Sequence, residues 1–218
     1  FYKKKGIELD PGLEYLQSGA GILLTLKGEY KKASYYFERY DSLVKGKEEL
    51  EMIGVSNKAF KKYVEGDFEA AEKLIDGSLN IISTYPSILG YQENYWIKGL
   101  LLFEKGDYRG MNQIIEIFTK TIKKYNFSNE NYNPVFKFYL HLKMLNAIAI
   151  QNSKEMQQCI EILNSQIRDK VKDHGSVFDH AFLSHHLYRV FSSPKYQNKK
   201  EADKARKNAV TGNKFYKI

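Results

Sequence analysis

Cysteine occurs once in 218 residues, as Cys159, so an internal disulfide framework and any multi-cysteine zinc or iron–sulfur site are excluded. Four prolines and fifteen glycines are too few for a linker-rich or collagenous chain. No apolar run approaches the ~18–20 residues that cross a bilayer, and no charged-then-apolar leader opens the sequence. Strand-like alternation of period two is nowhere sustained. Apolar side chains are plentiful: 43% of residues are hydrophobic and 14% aromatic, which argues against disorder and for a sizeable core. With a mean hydropathy of −0.52, a soluble chain is expected.

The net charge of +8 sits at the ends. Lys3, Lys4 and Lys5 contribute +3, and residues 195–218 hold eight Lys/Arg against Glu201 and Asp203, or +6. By subtraction residues 6–194 carry 23 basic and 24 acidic side chains, a balance of −1, which argues against a basic surface along the whole body. The basic end reads as a solvated tail, with contact to nucleic acid or an acidic partner as its alternative use.

One pattern recurs. Lys27-Gly28-Glu29-Tyr30 is followed by Ala33 and Phe37, Glu65-Gly66-Asp67-Phe68 by Ala71 and Ile75, and Lys105-Gly106-Asp107-Tyr108 by Met111 and Ile115. The glycines lie 38 and 40 residues apart, so a unit of about forty residues repeats. In each copy an apolar helical stretch runs into a glycine able to take the left-handed conformation that ends a helix. An acid then caps the next helix. The aromatic, the small residue and the apolar residue that follow share one helical face.

The spacing predicts about ten helices in five antiparallel pairs: 11–27 with 29–44, 47–65 with 67–84, 87–105 with 107–125, 133–151 with 153–171, and 176–192 with 198–211. Pro11 and Pro134 fall at expected helix starts, and Pro86 and Pro194 between periodic segments. In the fourth pair Gln151-Asn152-Ser153 replaces the glycine turn, with Asn as the residue next best suited to it. The fifth is more polar, as the end of a stacked array requires.

These residues resemble a tetratricopeptide repeat array. The Gly-acid-aromatic core, with Gly21, Ala59 and Gly99 seven places before each glycine, matches the positions most diagnostic of that family. The match is clear over 12–125 and rests on helix pattern alone over 133–212. The period is longer than the family's ~34 residues, and Met111 stands where a small residue is usual. The resemblance implies one all-α domain over 1–218, an α-solenoid wound as a right-handed superhelix. Its concave groove, lined by the first helix of each pair, would bind peptides or protein segments. The family's spacings place Tyr15, Ser18, Ile22 and Thr25 in that groove, then Ile53, Ser56, Phe60 and Tyr63, then Glu93, Trp96, Leu100 and Phe103, with Tyr139, Leu142 and Asn146 from the fourth pair. These positions are too apolar for a carboxylate clamp. They fit a partner with apolar or aromatic side chains, anchored by Trp96, Phe60 and Tyr63. An aromatic stripe at helical spacing is also what a core requires, and both readings stand.

Little here supports catalysis. His180 and His185 are five residues apart, on different helical faces, and Asp179 and His186 are two turns apart. Cys159 lies in an apolar helical pattern with Met156, Ile160 and Leu163. Gly-rich phosphate loops, a Gly-x-Ser-x-Gly elbow and His-Glu-x-x-His are absent from the sequence. The expected protein is a noncatalytic binding module without cofactor or membrane span. Alternatives are a peptide-sensing domain of a bacterial regulator, for which the start at Phe1 leaves room for a preceding output domain, and nucleic-acid binding through the basic C-terminal end. One thiol and no leader suit the cytoplasm; a processed secreted or lipid-anchored fragment would look the same.

Overall fold

Where the glycine-acid junctions fall, the chain turns from one helix straight into the next. The computed structural model describes residues 10, 12–82, 91–127, 134–170, 188, 199–200, 202–204 and 206–207. Its helices are α1 (Glu14–Leu26), α2 (Tyr30–Val44), α3 (Glu48–Glu65), α4 (Phe68–Ile82), α5 (Gln92–Lys105), α6 (Tyr108–Tyr125), α7 (Pro134–Ala149) and α8 (Ser153–Lys170). Among the described residues there is no strand. The helices pack in consecutive pairs, α1 with α2, α3 with α4, α5 with α6 and α7 with α8. The expected fifth pair and the histidines His180, His185 and His186 lie outside the described residues, apart from Tyr188 and short helical pieces within 199–207. The chain forms two compact units, Phe1–Asn126 and Phe127–Ile218; the first spans the three clear copies of the repeat.

Local chemistry accounts for the turns. Gly66 has φ +83°; its N–H donates to Tyr63 O at 3.1 Å, and the Asp67 N–H reaches back to Lys62 O at 2.9 Å, closing the last turn of α3. The same pair of bonds recurs at Gly28, Gly106 and Gln151. In the fourth junction Gln151, not the asparagine, takes the left-handed conformation at φ 60°. Asn152 instead stands where the acids stand in earlier copies, and its Oδ1 accepts the Glu155 N–H at 3.2 Å. Asp67 and Asp107 cap in the same way, accepting from Ala70 and Gly110 at 3.3 and 2.9 Å. Glu29 does not cap α2. One methylene longer, its carboxylate pairs with Lys32 at 2.5 Å.

The second helices turn one stripe inward. Ala33, Phe37, Tyr40 and Val44 on α2 are buried, as are Ala71, Ile75 and Ser78 on α4 and Met111, Ile114, Phe118 and Thr121 on α6. Met111 is as fully enclosed as the alanines it replaces, and Ile114 is buried more deeply than Ile115. Gly21 lets α1 and α2 meet: a Cβ there would lie 2.3 Å from Cε1 of Phe37.

Candidate binding face

Within Phe1–Asn126 each first helix packs against its partner and also against the first helix of the neighbouring pair, α1 on α3 and α3 on α5. The pairs joining them are separated by the repeat length. Asn57 Nδ2 donates to Ser18 Oγ at 2.9 Å, 39 residues away. Ser56 Oγ donates to Asn94 Oδ1 at 2.7 Å, 38 residues away, and Tyr63 Oη to Glu104 Oε1 at 2.8 Å, 41 residues away. The rings of Phe60 and Trp96 stack 5.9 Å apart, 26° from parallel.

This seam holds several residues that the sequence assigned to a groove. Phe60 is 5% exposed, Tyr63 5% and Trp96 7%, and Leu100 is fully buried. Phe103 is half-buried, its ring 6.4 Å from that of Tyr108. Ile22 is half-buried, while Tyr15 is 64% exposed. Tyr139 belongs to the other compact unit, on α7, half-buried, with its ring 6.1 Å from Phe136 and Lys143 Nζ 5.7 Å from its centroid.

Contacts account for most of the circumference of α3. Ser56, Phe60 and Tyr63 point to α5, and Asn57 to α1. Lys58 pairs with Asp41 of α2 at 2.9 Å, Lys61 lies over the ring of Tyr30, and Gly54 backs onto Tyr40 and Asp41. Met52 and Val55 join Leu79 of α4 and Tyr91. A row remains at helical spacing, Glu49, Ile53 and Val64, interrupted by the buried Phe60. In the glycine register the matching row is Tyr15, Ile22 and Leu26 on α1, and Glu93, Leu100 and Glu104 on α5. Tyr15, Ile22, Leu26, Ile53 and Val64 keep part of their surface in solvent.

Charge is segregated around this row. α1 has no Lys or Arg. Lys62 of α3 pairs with Asp67 at 2.8 Å, and Lys61 with Glu65 at 2.8 Å. Lys98 of α5 reaches Glu72 and Asp76 of α4 at 3.2 and 2.7 Å, and Lys105 also bonds Glu72. Burial alone would lower the pKa of Lys98, but its bonds to Asp76 and Glu72 outweigh it and hold the ammonium above its ordinary value. The Lys105 bond, aided by Lys98, holds Glu72 below the usual carboxylate range. Burial, with Glu49 and Glu48 nearby, raises the phenol of Tyr91.

The sequence reading missed the polar knot under the seam. Asn94 is buried, accepts from Ser56, and donates through Nδ2 to Ser78 Oγ at 2.6 Å, while Ser56 Oγ also lies 3.1 Å from Met52 O. One signal was available: Ser18 and Ser56 are 38 residues apart, as the first two glycines are, and both contact an Asn of the following pair. His141, buried within α7, was also missed; burial, with Lys137 adding to it, pulls its pKa down to about 3. Cys159 is buried, and burial pushes its thiol up to about 11, which leaves it protonated and poorly nucleophilic. Among the described residues no group of His, Cys, Asp and Glu is placed to hold a metal, and no helix is long and apolar enough to cross a membrane. Comparison with protein-family models, curated proteins and solved structures finds no match to this chain.

Proposed function

We propose that this chain is a noncatalytic module of tetratricopeptide type that binds a peptide or protein segment along the face built by α1, α3 and α5. One observation carries the reading: first helices of adjacent pairs lie side by side, joined through residues 38, 39 and 41 apart, at the period of the repeat. Stacking of equivalent helices gives a continuous surface, because each two-helix unit buries one side against the next and leaves a row of first-helix side chains open. On that row Tyr15, Ile22, Leu26, Ile53 and Val64 supply apolar area for a partner to cover. The Phe60–Trp96 stack and Leu100 act from beneath, holding the helices at fixed spacing so that the surface is formed before the ligand arrives.

Selection of peptides on the full-length chain, followed by affinity measurement, tests this. Ile53→Arg and Val64→Arg are expected to weaken the selected peptides at least about tenfold, a loss of ~1.4 kcal/mol. Tyr35→Ala, on the second helix α2, should leave affinity unchanged. Equal affinity for the wild type and both arginine variants, with circular dichroism unaltered, would reject the face. The side chain of Trp96, the only tryptophan, gives an internal fluorescence signal for the same titration.

A further inference from the structure

We propose that the two joints between helix pairs in Phe1–Asn126 respond differently to salt: α1 and α2 swing as a body against α3 and α4 when ions screen a lysine latch, while the joint from α3 and α4 to α5 and α6 stays shut.

A lysine at one repeat position spans each joint. Lys58 and Lys98 stand eight residues before Gly66 and Gly106, and each reaches back to an acid on the second helix of the preceding pair. Lys58 pairs with Asp41 of α2 at 2.9 Å, and Lys98 with Asp76 and Glu72 of α4 at 2.7 and 3.2 Å. Five residues past Ile53, Lys58 lies about 140° round α3, on the side away from the open row. The latch therefore acts on the back of the helix that carries the face.

The two latches differ in shelter. The side chains of Lys58 and Asp41 are 40% and 38% exposed, open to counterions. Lys98 is 18% exposed and Glu72 24%, Lys105 adds a second cation to Glu72, and the buried bonds of Ser56, Asn94 and Ser78 lie in the same joint. Salt screens an exposed pair far more than a sheltered one. The first joint also has a pivot. Next to the Gly46 turn, α2 and α3 meet through neutral groups, Tyr40 Oη on Leu50 O at 2.8 Å and Gly54 against the Tyr40 ring. Farther along α3 two cations face α2: Lys58 on Asp41, and Lys61 at 5.9 Å from the centre of the Tyr30 ring. Screening loosens that far end and leaves the turn end held. Between α1 and α3 the Asn57–Ser18 bond is part-buried, so water competes for it. On the face of α1, α3 and α5, the α1 side is then the half able to adjust to a partner.

Nitroxide labels on the full-length chain provide the test, with Cys159→Ser removing its one native thiol. Tyr35→Cys with Lys73→Cys reports the first joint, and Lys73→Cys with Gln113→Cys the second; all three residues are exposed and lie seven places after a junction glycine. Distances are read by double electron–electron resonance. Raising salt from about 0.1 to about 1 M, which shortens the screening length from ~10 to ~3 Å, should widen the first distance distribution at least about twofold and leave the second unchanged. Lys58→Met keeps the stem and removes the charge, so the first distribution should be wide already at low salt and respond no further. Asp41→Asn should do the same, and the two together no more than either alone. Circular dichroism checks folding, and if one variant does not fold the other decides. Equal widening at both joints, no widening at either, or a first distribution that stays narrow in the folded variants would overturn the inference. No peptide enters the measurement, so its outcome is independent of the proposed binding.

Discussion

Gln151 carries a full side chain at φ 60°, in a junction whose counterparts are Gly28, Gly66 and Gly106. A left-handed conformation costs an ordinary residue ~1–2 kcal/mol, partly offset because glycine is more flexible in the unfolded chain. Gln151→Gly is therefore expected to stabilise α7 and α8 by about 0.5–1 kcal/mol, seen as a higher urea midpoint. Gly66→Ala is its mirror. A Cβ there meets nothing within 4 Å, so the expected loss of about 1 kcal/mol is purely conformational, and a neutral result would show the turn relaxing. His141 adds a pH dependence. Its ordinary pKa of 6.5 falls to about 3 in the folded chain, so between those values the unfolded state binds the extra proton and stability drops as pH falls. From pH 7 to pH 5 this one side chain should cost about 2 kcal/mol. His141→Gln should lose about that much less over the same interval in urea titrations; parallel curves for variant and wild type would place the acid sensitivity elsewhere.

Between helices the decisive element is the seam of α3 with α5, where a polar knot lies beside a ring stack. Asn94→Leu removes the acceptor of Ser56 and the donor to Ser78, and leaves Ser56 only Met52 O and Ser78 only the weak acceptor Met52 Sδ, an expected loss of about 1–2 kcal/mol. In the triple variant with Ser56→Ala and Ser78→Ala the cost should shrink, because no hydroxyl is then left with a weakened set of partners; additive losses would show that the two bonds act separately. Trp96→Ala should cost about 3–5 kcal/mol by opening a cavity against Phe60. This seam also marks how far the sequence could be read. Helix ends at Gly28, Gly66 and Gly106 were legible because left-handed turns and the Asp67 and Asp107 caps depend on neighbours a few residues away. The burial of Phe60, Tyr63 and Trp96 was not, since a helical stripe looks the same whether another helix or solvent lies over it. Asn94 escaped notice for a related reason: an asparagine reads as exposed until Ser56 and Ser78, 38 and 16 residues distant, are known to surround it. Tyr15 and Ile22, which the family's spacings also assign to the groove, keep part of their surface in solvent.

At the scale of the compact unit Phe1–Asn126, the principal helix contacts join each pair to itself and to its immediate neighbour, and if the unit is the stacked array proposed above, its stability is expected to be a sum of short-range terms along the chain. A globule with one shared core would lose all its helices together. A stacked array transmits damage step by step, because α1 and α2 are linked to α5 and α6 through α3 and α4. Ile75, fully buried on α4, allows the two to be told apart. Ile75→Ala removes about 3 kcal/mol from the middle pair. Native-state hydrogen exchange should then show the greatest loss of protection in α3 and α4, smaller losses in α1 and α2 and in α5 and α6, and helices that still form on either side. Uniform loss across all six would mean that the unit folds as a single cooperative body. A binding face assembled by successive stacking would then be the wrong description of how its first helices are held.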